Sequence, residues 1–283
     1  MASFLIWIQF SIVNLLLVWS FYLPFRAGKL YFGGVYCMAI GAYFSAFMVR
    51  DMGWPLWLAL ICTVVVGAIA GFIPSIGLAR TAGPATAMAS VALIFISQAV
   101  IRNLDFLGGS FGFASIPRVH YLQPLSYLTV LLVGIFLYRL EHSHLGRAME
   151  AMLDNPSLAS SMGVNVVRIN VFLITAASAI AALGGVIFAF NLGTMFPDTF
   201  SFFLLLYGTT MLVIGGRQTM WGAVFAAPLL TGLPQWLPDV VANYTRVIYG
   251  VLLVVVLLSR PQGVITRDLL QRIRKGIGRM RRR

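Results

Sequence analysis

Residues 55–77 read PLWLALICTVVVGAIAGFIPSIG, 23 positions without one charged side chain. As a helix rising about 1.5 Å per residue, such a run extends roughly 35 Å, enough to cross about 30 Å of hydrocarbon. A helix in a soluble protein keeps a polar face, and this stretch has none. Working outward, comparable apolar runs lie at 4–23, 30–49, 84–101, 122–140, 169–190, 200–214, 219–236 and 244–259. The expected fold is all-α: a polytopic transmembrane helical bundle of about nine spans. Residues 200–214 are short for a straight crossing, so that span is expected to be tilted, broken or longer than drawn.

Composition agrees with this reading. Of 283 residues 60% are hydrophobic and 10% charged, where a soluble domain carries about 25% charge. The net charge of +12 does not point to nucleic acid. The positives punctuate the apolar runs and gather at the end of the chain, with no stripe of bases and aromatics on a soluble surface. Their distribution orients the chain. If the spans alternate and the 141–168 loop is cytoplasmic, that side receives Arg26, Lys29, Arg80, Arg139, Arg147, Arg168, Arg217, Arg260 and the basic tail. The other side receives Arg50, Arg102, Arg118 and Arg246. Positive charge stays on the cytoplasmic side, so the C-terminus is expected there and the N-terminus outside. No basic cluster or small-residue cleavage site precedes residues 4–23, which read as a retained span. Cys37 and Cys62 fall inside spans without metal-ligating neighbours and read as packing residues.

Material for catalysis is scarce. His120, His142 and His144 lie at or beyond membrane edges, and Glu141 with the last two supplies too few ligands for a metal site. No glycine-rich loop with Lys and Ser/Thr is present to hold ATP phosphates. The sequence implies no cofactor and no enzyme activity of its own. An ion-driven carrier usually holds a carboxylate or histidine within a span, yet all eight carboxylates fall in loops or at span ends. The intramembrane polar inventory is neutral: Asn14, Thr63, Thr86, Ser90, Ser97, Gln98, Thr175, Ser178, Thr209 and Thr210. Recurrent glycines such as Gly41, Gly67, Gly71 and Gly184-Gly185 suit close helix approach. Pro74, Pro84 and Pro228 are places where helices could unwind around a transport path.

Two loops and a tail remain. Residues 102–120, RNLDFLGGSFGFASIPRVH, form an outer loop rich in turn residues. Residues 141–168, EHSHLGRAMEAMLDNPSLASSMGVNVVR, hold two helix-like stretches, Leu145 to Leu153 and Ser157 to Met162. Asn155 suits an N-cap, Pro156 a first helical turn and Gly163 a C-cap. A short capped helix outside the membrane could dock on a soluble partner, or simply join two spans. Residues 264–283 place Ile265, Leu269, Ile273, Ile277 and Met280 on one helical face among Arg and Lys. That pattern suits an amphipathic tail on anionic membrane lipid. Residues 1–263 are expected to form the transmembrane domain, with no large soluble domain within them.

His144-Leu-Gly-Arg-Ala-Met-Glu-Ala, Asn155-Pro-Ser-Leu-Ala and Met162-Gly-Val-Asn165 resemble the coupling loop of bacterial branched-chain amino acid ABC transporter permeases. The likeness is to the M-type subfamily, which pairs with an H-type permease. It continues through Phe32-Gly-Gly, Ala39-Ile-Gly-Ala-Tyr43, Gly108-Gly-Ser-Phe-Gly112, Phe196-Pro-Asp-Thr-Phe-Ser201, Val213-Ile-Gly-Gly216, Trp221-Gly-Ala223, Ile248-Tyr-Gly250 and Arg260-Pro-Gln-Gly-Val264, covering roughly residues 10 to 265. The resemblance implies a subunit of an importer in the bacterial inner membrane. Its partners would be a second, H-type permease, two ATPase subunits and an extracytoplasmic substrate-binding protein, with ATP hydrolysed on the ATPases. It makes 145–163 the coupling element and Leu145, Gly146, Arg147, Asn155, Pro156, Ala159 and Gly163 the coupling residues. Two departures stand out. Gly215-Gly216-Arg217-Gln218-Thr219 replaces a more glycine-rich turn, and Phe111 stands where an acidic or amide residue is common. The implied substrate is a branched-chain or related amino acid. The same architecture could import urea, short amides or other amino acids, and a lone ion-coupled carrier is the rival mechanism.

Overall fold

A computed structural model describes residues 2–236, except 82, 118, 120, 217 and 218, together with 250, 251, 254 and 255. In chain order the helices are α1 (Ala2–Arg26), α2 (Gly34–Arg50), α3 (Leu56–Leu78), α4 (Gly83–Arg102), α5 (Leu122–Glu141), α6 (His144–Asp154), α7 (Pro156–Ser161), α8 (Val166–Leu192), α9 (Phe202–Gly215) and α10 (Met220–Trp236). Among the described residues there is no strand, only an isolated antiparallel bridge between Phe113 and Met195. Five helices are long and apolar enough to cross a membrane, and α2, α9 and α10 are shorter apolar helices. These eight correspond to the first eight expected spans. The ninth, 244–259, lies outside the described residues apart from 250, 251, 254 and 255, and so does the basic tail.

Short links make successive spans alternate in direction, which sorts their ends into two groups. At one end, Lys29 after α1 donates to the carbonyls of Leu78 and Thr81 after α3. Asn170 near the start of α8 donates to Ala79 at 3.5 Å. The α6–α7 hairpin sits at this end. At the other, Arg50 at the end of α2 donates to the Ala114 carbonyl at 2.9 Å, and Arg102 at the end of α4 pairs with Asp198.

The core is built on α8, flanked by α1, α2 and α3. Glycine sets the spacing. A methyl on Gly41 of α2 would collide with the Ala182 backbone of α8, and one on Gly185 of α8 would collide with Met38 of α2. Beside them Gly67 and Gly71 of α3 receive Ala182 and Ser178 of the same α8 segment. Lipid offers no hydrophobic drive for helices to associate, so van der Waals contact at such close approach carries the packing. The α1 and α8 spans are mostly buried, whereas α3, α4 and α5 turn most of their apolar surface outward.

The prolines do not unwind the spans: α3 runs unbroken through Pro74 and α10 through Pro228. Proline lacks the N–H that would bond the carbonyl four residues back. For Pro74 that carbonyl is Ala70, and the Tyr36 hydroxyl of α2 donates to it at 3.0 Å. A neighbouring helix thus satisfies the freed acceptor. The short α9 has a similar explanation. At about 21 Å it cannot cross alone, and a 3-10 turn over Pro197–Phe200 leads into it with Pro197 and Phe200 buried. Gln98 of α4 donates to the Phe200 carbonyl at 2.9 Å, satisfying backbone that a longer helix would have bonded internally.

Candidate functional site

The α6–α7 hairpin is defined by its caps. Ser143 Oγ accepts from the N–H groups of Leu145 and Gly146 at 3.1 and 3.4 Å, closing the start of α6. Asn155 Oδ1 accepts from Ser157 and Leu158 at 3.0 and 3.2 Å, and Pro156 takes the first turn of α7, where no donor is needed. At the far end Gly163 adopts φ +88°. Its N–H reaches Ser160 at 3.0 Å, while the N–H of Val164 reaches Ala159 at 3.1 Å. This pair of bonds is the Schellman closure, which requires a left-handed residue at the glycine position. Asn165 Oδ1 then accepts from Arg168 N–H at 3.0 Å and opens α8. Four capped ends within 23 residues give a rigid corner rather than a slack connection.

The hairpin has two faces. Gly146, Met149 and Met152 of α6 and Ala159 of α7 are buried against the bundle, and Leu145 is partly buried. Gly146 permits the approach, because a methyl there would overlap the end of α5 at Leu140 and Glu141. On the outward face Arg147, Asn155, Pro156 and Gly163 are exposed, together with Leu153, Leu158 and Met162; the last is 74% exposed. The seven expected coupling residues therefore divide into three that seat the hairpin and four that shape or present its outer surface. Arg147 bonds His144 Nδ1 at 2.6 Å, and the His142 ring bonds the Tyr138 carbonyl at 2.9 Å, so the two histidines take separate partners.

Polar ties bind the hairpin to the spans. Arg26, the last residue of α1 and 4% exposed, pairs with Glu150 of α6. Glu141, the last residue of α5, accepts from the Tyr22 hydroxyl of α1 and from the Met220 N–H of α10, the latter at 3.3 Å. Lys29, which donates to the carbonyls of Leu78 and Thr81 at the same end, is partly buried, and that burial lowers its pKa from the ordinary lysine value. Sequence reasoning missed this cluster, whose partners lie 119 and 124 residues apart. The Ser143 cap was legible as Ser ahead of an amphipathic run.

At the opposite end the 102–120 loop is pinned. Phe113 and Met195 exchange backbone bonds of 2.8 and 2.9 Å, and the Arg50 guanidinium lies 4.2 Å above the Phe113 ring. Gly108 and Gly112, each at φ +83°, shape the turn. This loop carries Phe106 and Phe111, the latter 94% exposed, and the segment bridged to it carries exposed Phe196 and Asp198, which pairs with Arg102.

α2 and α4, with the start of the 102–120 loop, line a half-open apolar cleft of about 530 Å³ that includes Tyr36, Tyr43, Phe44, Leu93 and Ile101. A second, of about 480 Å³, opens at the end away from the hairpin, between the start of α1, the start of α5 and the end of α8, and includes Gln9, Gln123 and Asn191.

Residues 3–257 match the sequence profile of a family described as the permease component of the branched-chain amino acid transport system. Among relatives, the high-affinity branched-chain amino acid transport system permease protein LivM of Salmonella typhimurium is 27% identical over 268 residues, covering 83% of this chain and 62% of LivM. LivM of Escherichia coli is 26% identical with the same coverage. The autoinducer 2 import system permease protein LsrC of Yersinia pseudotuberculosis is 26% identical over 72% of this chain and 63% of LsrC. The chain thus spans about three fifths of the length of these relatives. No solved structure matches it.

Proposed function

The chain belongs to the family of branched-chain amino acid transport permease components, and on that premise we propose that it is the membrane-spanning subunit of an ATP-driven importer. It carries branched-chain or related amino acids inward by alternating access. A second, H-type permease shares the translocation path, two ATPase subunits supply the energy, and an extracytoplasmic binding protein delivers substrate. The chain itself performs no chemistry on the solute. It resides in the bacterial inner membrane with α6, α7 and the C-terminus on the cytoplasmic side.

The observation that carries this reading is the two-faced α6–α7 hairpin. An outward face bearing Leu153, Leu158 and Met162 has no hydrocarbon to meet if it lies beyond the membrane edge, and exposed apolar surface there favours a protein partner. Arg147 adds a planar donor suited to acidic or carbonyl groups on that partner. Caps at both ends make the hairpin stiff enough to transmit a push. ATPase closure would move it, and the spans would open toward each side in turn.

The neutral lining of the bundle fits a pathway whose selectivity resides in a separate binding protein. The similarity to an autoinducer 2 import permease supports a second reading in which the same machinery carries another small polar solute.

Purification from the native membrane in mild detergent, with companions identified by mass spectrometry, tests the assignment. The expected companions are a second permease and an ATPase in comparable amounts. Isolation alone, with uptake driven by an ion gradient, would sink it.

A further inference from the structure

One face of α1 makes three polar ties to the hairpin end of the molecule. Trp19, Tyr22 and Arg26 recur at spacings of three and four, which places them on a single stripe. Trp19 Nε1 donates to the Met220 carbonyl at 3.2 Å, Tyr22 to the Glu141 carboxylate, and Arg26 to the Glu150 carboxylate. Glu141 also accepts from the Met220 N–H, one of the free donors at the start of α10. The stripe therefore joins α1 to the end of α5, the start of α10 and the middle of α6. The ties differ in character. Met149 and Met152 hold α6 through apolar contact, which can slide, while Arg26–Glu150 fixes one atom pair. Arg26 is almost wholly buried, so it cannot exchange Glu150 for water without a large desolvation cost.

We propose that the Arg26–Glu150 pair is the linkage through which movement of α6 is delivered to α1, with Tyr22 and Glu141 carrying the same displacement to α10. These are positioning residues, acting through the helices they tie together. The proposal rests on the importer reading and adds which spans are driven first. A hairpin held only by its methionines could ride over the bundle without moving it. One held by an ion pair whose Arg26 side is buried drags the end of α1, and α1 packs along both α8 and α10.

The test uses the full transporter in proteoliposomes with leucine-charged binding protein, reading leucine imported per ATP hydrolysed. Glu150→Gln alone strands the Arg26 charge and could simply fail to fold. The informative variant is therefore Arg26→Gln with Glu150→Gln, which removes both charges while keeping a polar pair. It is expected to keep wild-type thermal stability and binding-protein-stimulated ATPase, with import per ATP reduced about tenfold, within the range over which positions along a coupling network act. The exchanged pair, Arg26→Glu with Glu150→Arg, is expected to recover most of the ratio. A double-glutamine variant with a wild-type ratio overturns the proposal and leaves a structural pair. A wild-type complex that imports leucine without ATP overturns the importer reading and this proposal together.

Discussion

Gly146 offers a perturbation whose sign separates a seated hairpin from a loose one. In an exposed helix, replacing Gly with Ala is stabilising by about 1 kcal/mol, because glycine forfeits more backbone entropy. At Gly146 the methyl would stand 2.7 Å from the Glu141 carbonyl carbon and 2.8 Å from the Leu140 oxygen, where ordinary contact begins near 3.4 Å. The atoms in the way are backbone at the end of α5, which cannot rotate aside. The Glu141 carbonyl oxygen is nearer still, so the start of α6 must retreat by more than about 0.7 Å, loosening contacts whose attraction falls steeply over such a gap. Overpacking of this kind costs about 1–3 kcal/mol. Less the helix-propensity gain, Gly146→Ala is destabilised by about 0–2 kcal/mol, and Gly146→Val by more. Gly77, near the end of α3, has nothing within 4 Å of the position a methyl would take. Gly77→Ala is the matched control, with an expected gain of up to about 1 kcal/mol. Thermal midpoints of the purified protein in one detergent decide the matter: Gly77→Ala should rise, and Gly146→Ala should fall or stay level while uptake drops. A rise at both positions would refute the seating of α6 on α5.

Gly163→Pro should abolish uptake, because proline fixes φ near −65° and removes the N–H that reaches Ser160, at a cost of about 3 kcal/mol or more. Gly163→Ala, which has room but must hold a positive φ, should cost about 1–2 kcal/mol and leave partial uptake; equal loss in both variants would point away from backbone geometry. Arg147→Glu should leave abundance and thermal midpoint near wild type, since the side chain is exposed, and yet weaken ATPase co-purification. Phe111→Ser should lower binding-protein stimulation of ATPase without changing its basal rate, as loss of an exposed, rigidly held aromatic anchor would; an unchanged stimulated rate would remove that loop from the docking surface.

The fold was legible in the sequence because hydrocarbon imposes a length and a polarity on each crossing. Residues 56–78 and 122–141 fall within a residue or so of the runs drawn from composition. The caps at Asn155, Pro156 and Gly163 were legible for a different reason: each depends on the chemistry of a residue acting on its own neighbours. Less could be read where distant segments meet. The short α9 is completed by a buried 3-10 turn that an α4 glutamine satisfies, and Pro74 is accommodated by a tyrosine of α2. Both solutions depend on tertiary contact. The Arg26–Glu150 and Tyr22–Glu141 ties belong to the same class. In sequence Arg26 looks like a topology-setting charge and Glu141 like one more carboxylate at a span end, and only the packing of α1 against the hairpin gives them partners.

The central claim is that the α6–α7 hairpin receives ATPase motion, and a crosslink tests it most directly. Leu158, exposed on the outward face, would be replaced by the photo-crosslinking residue p-benzoylphenylalanine, which inserts into C–H bonds of whatever lies against it, and irradiated in native membranes, with adducts identified by mass spectrometry. The account predicts an adduct between this chain and an ATPase subunit whose yield changes when ATP is trapped by vanadate. No ATPase adduct in any nucleotide state, from a variant that still drives uptake, would contradict it.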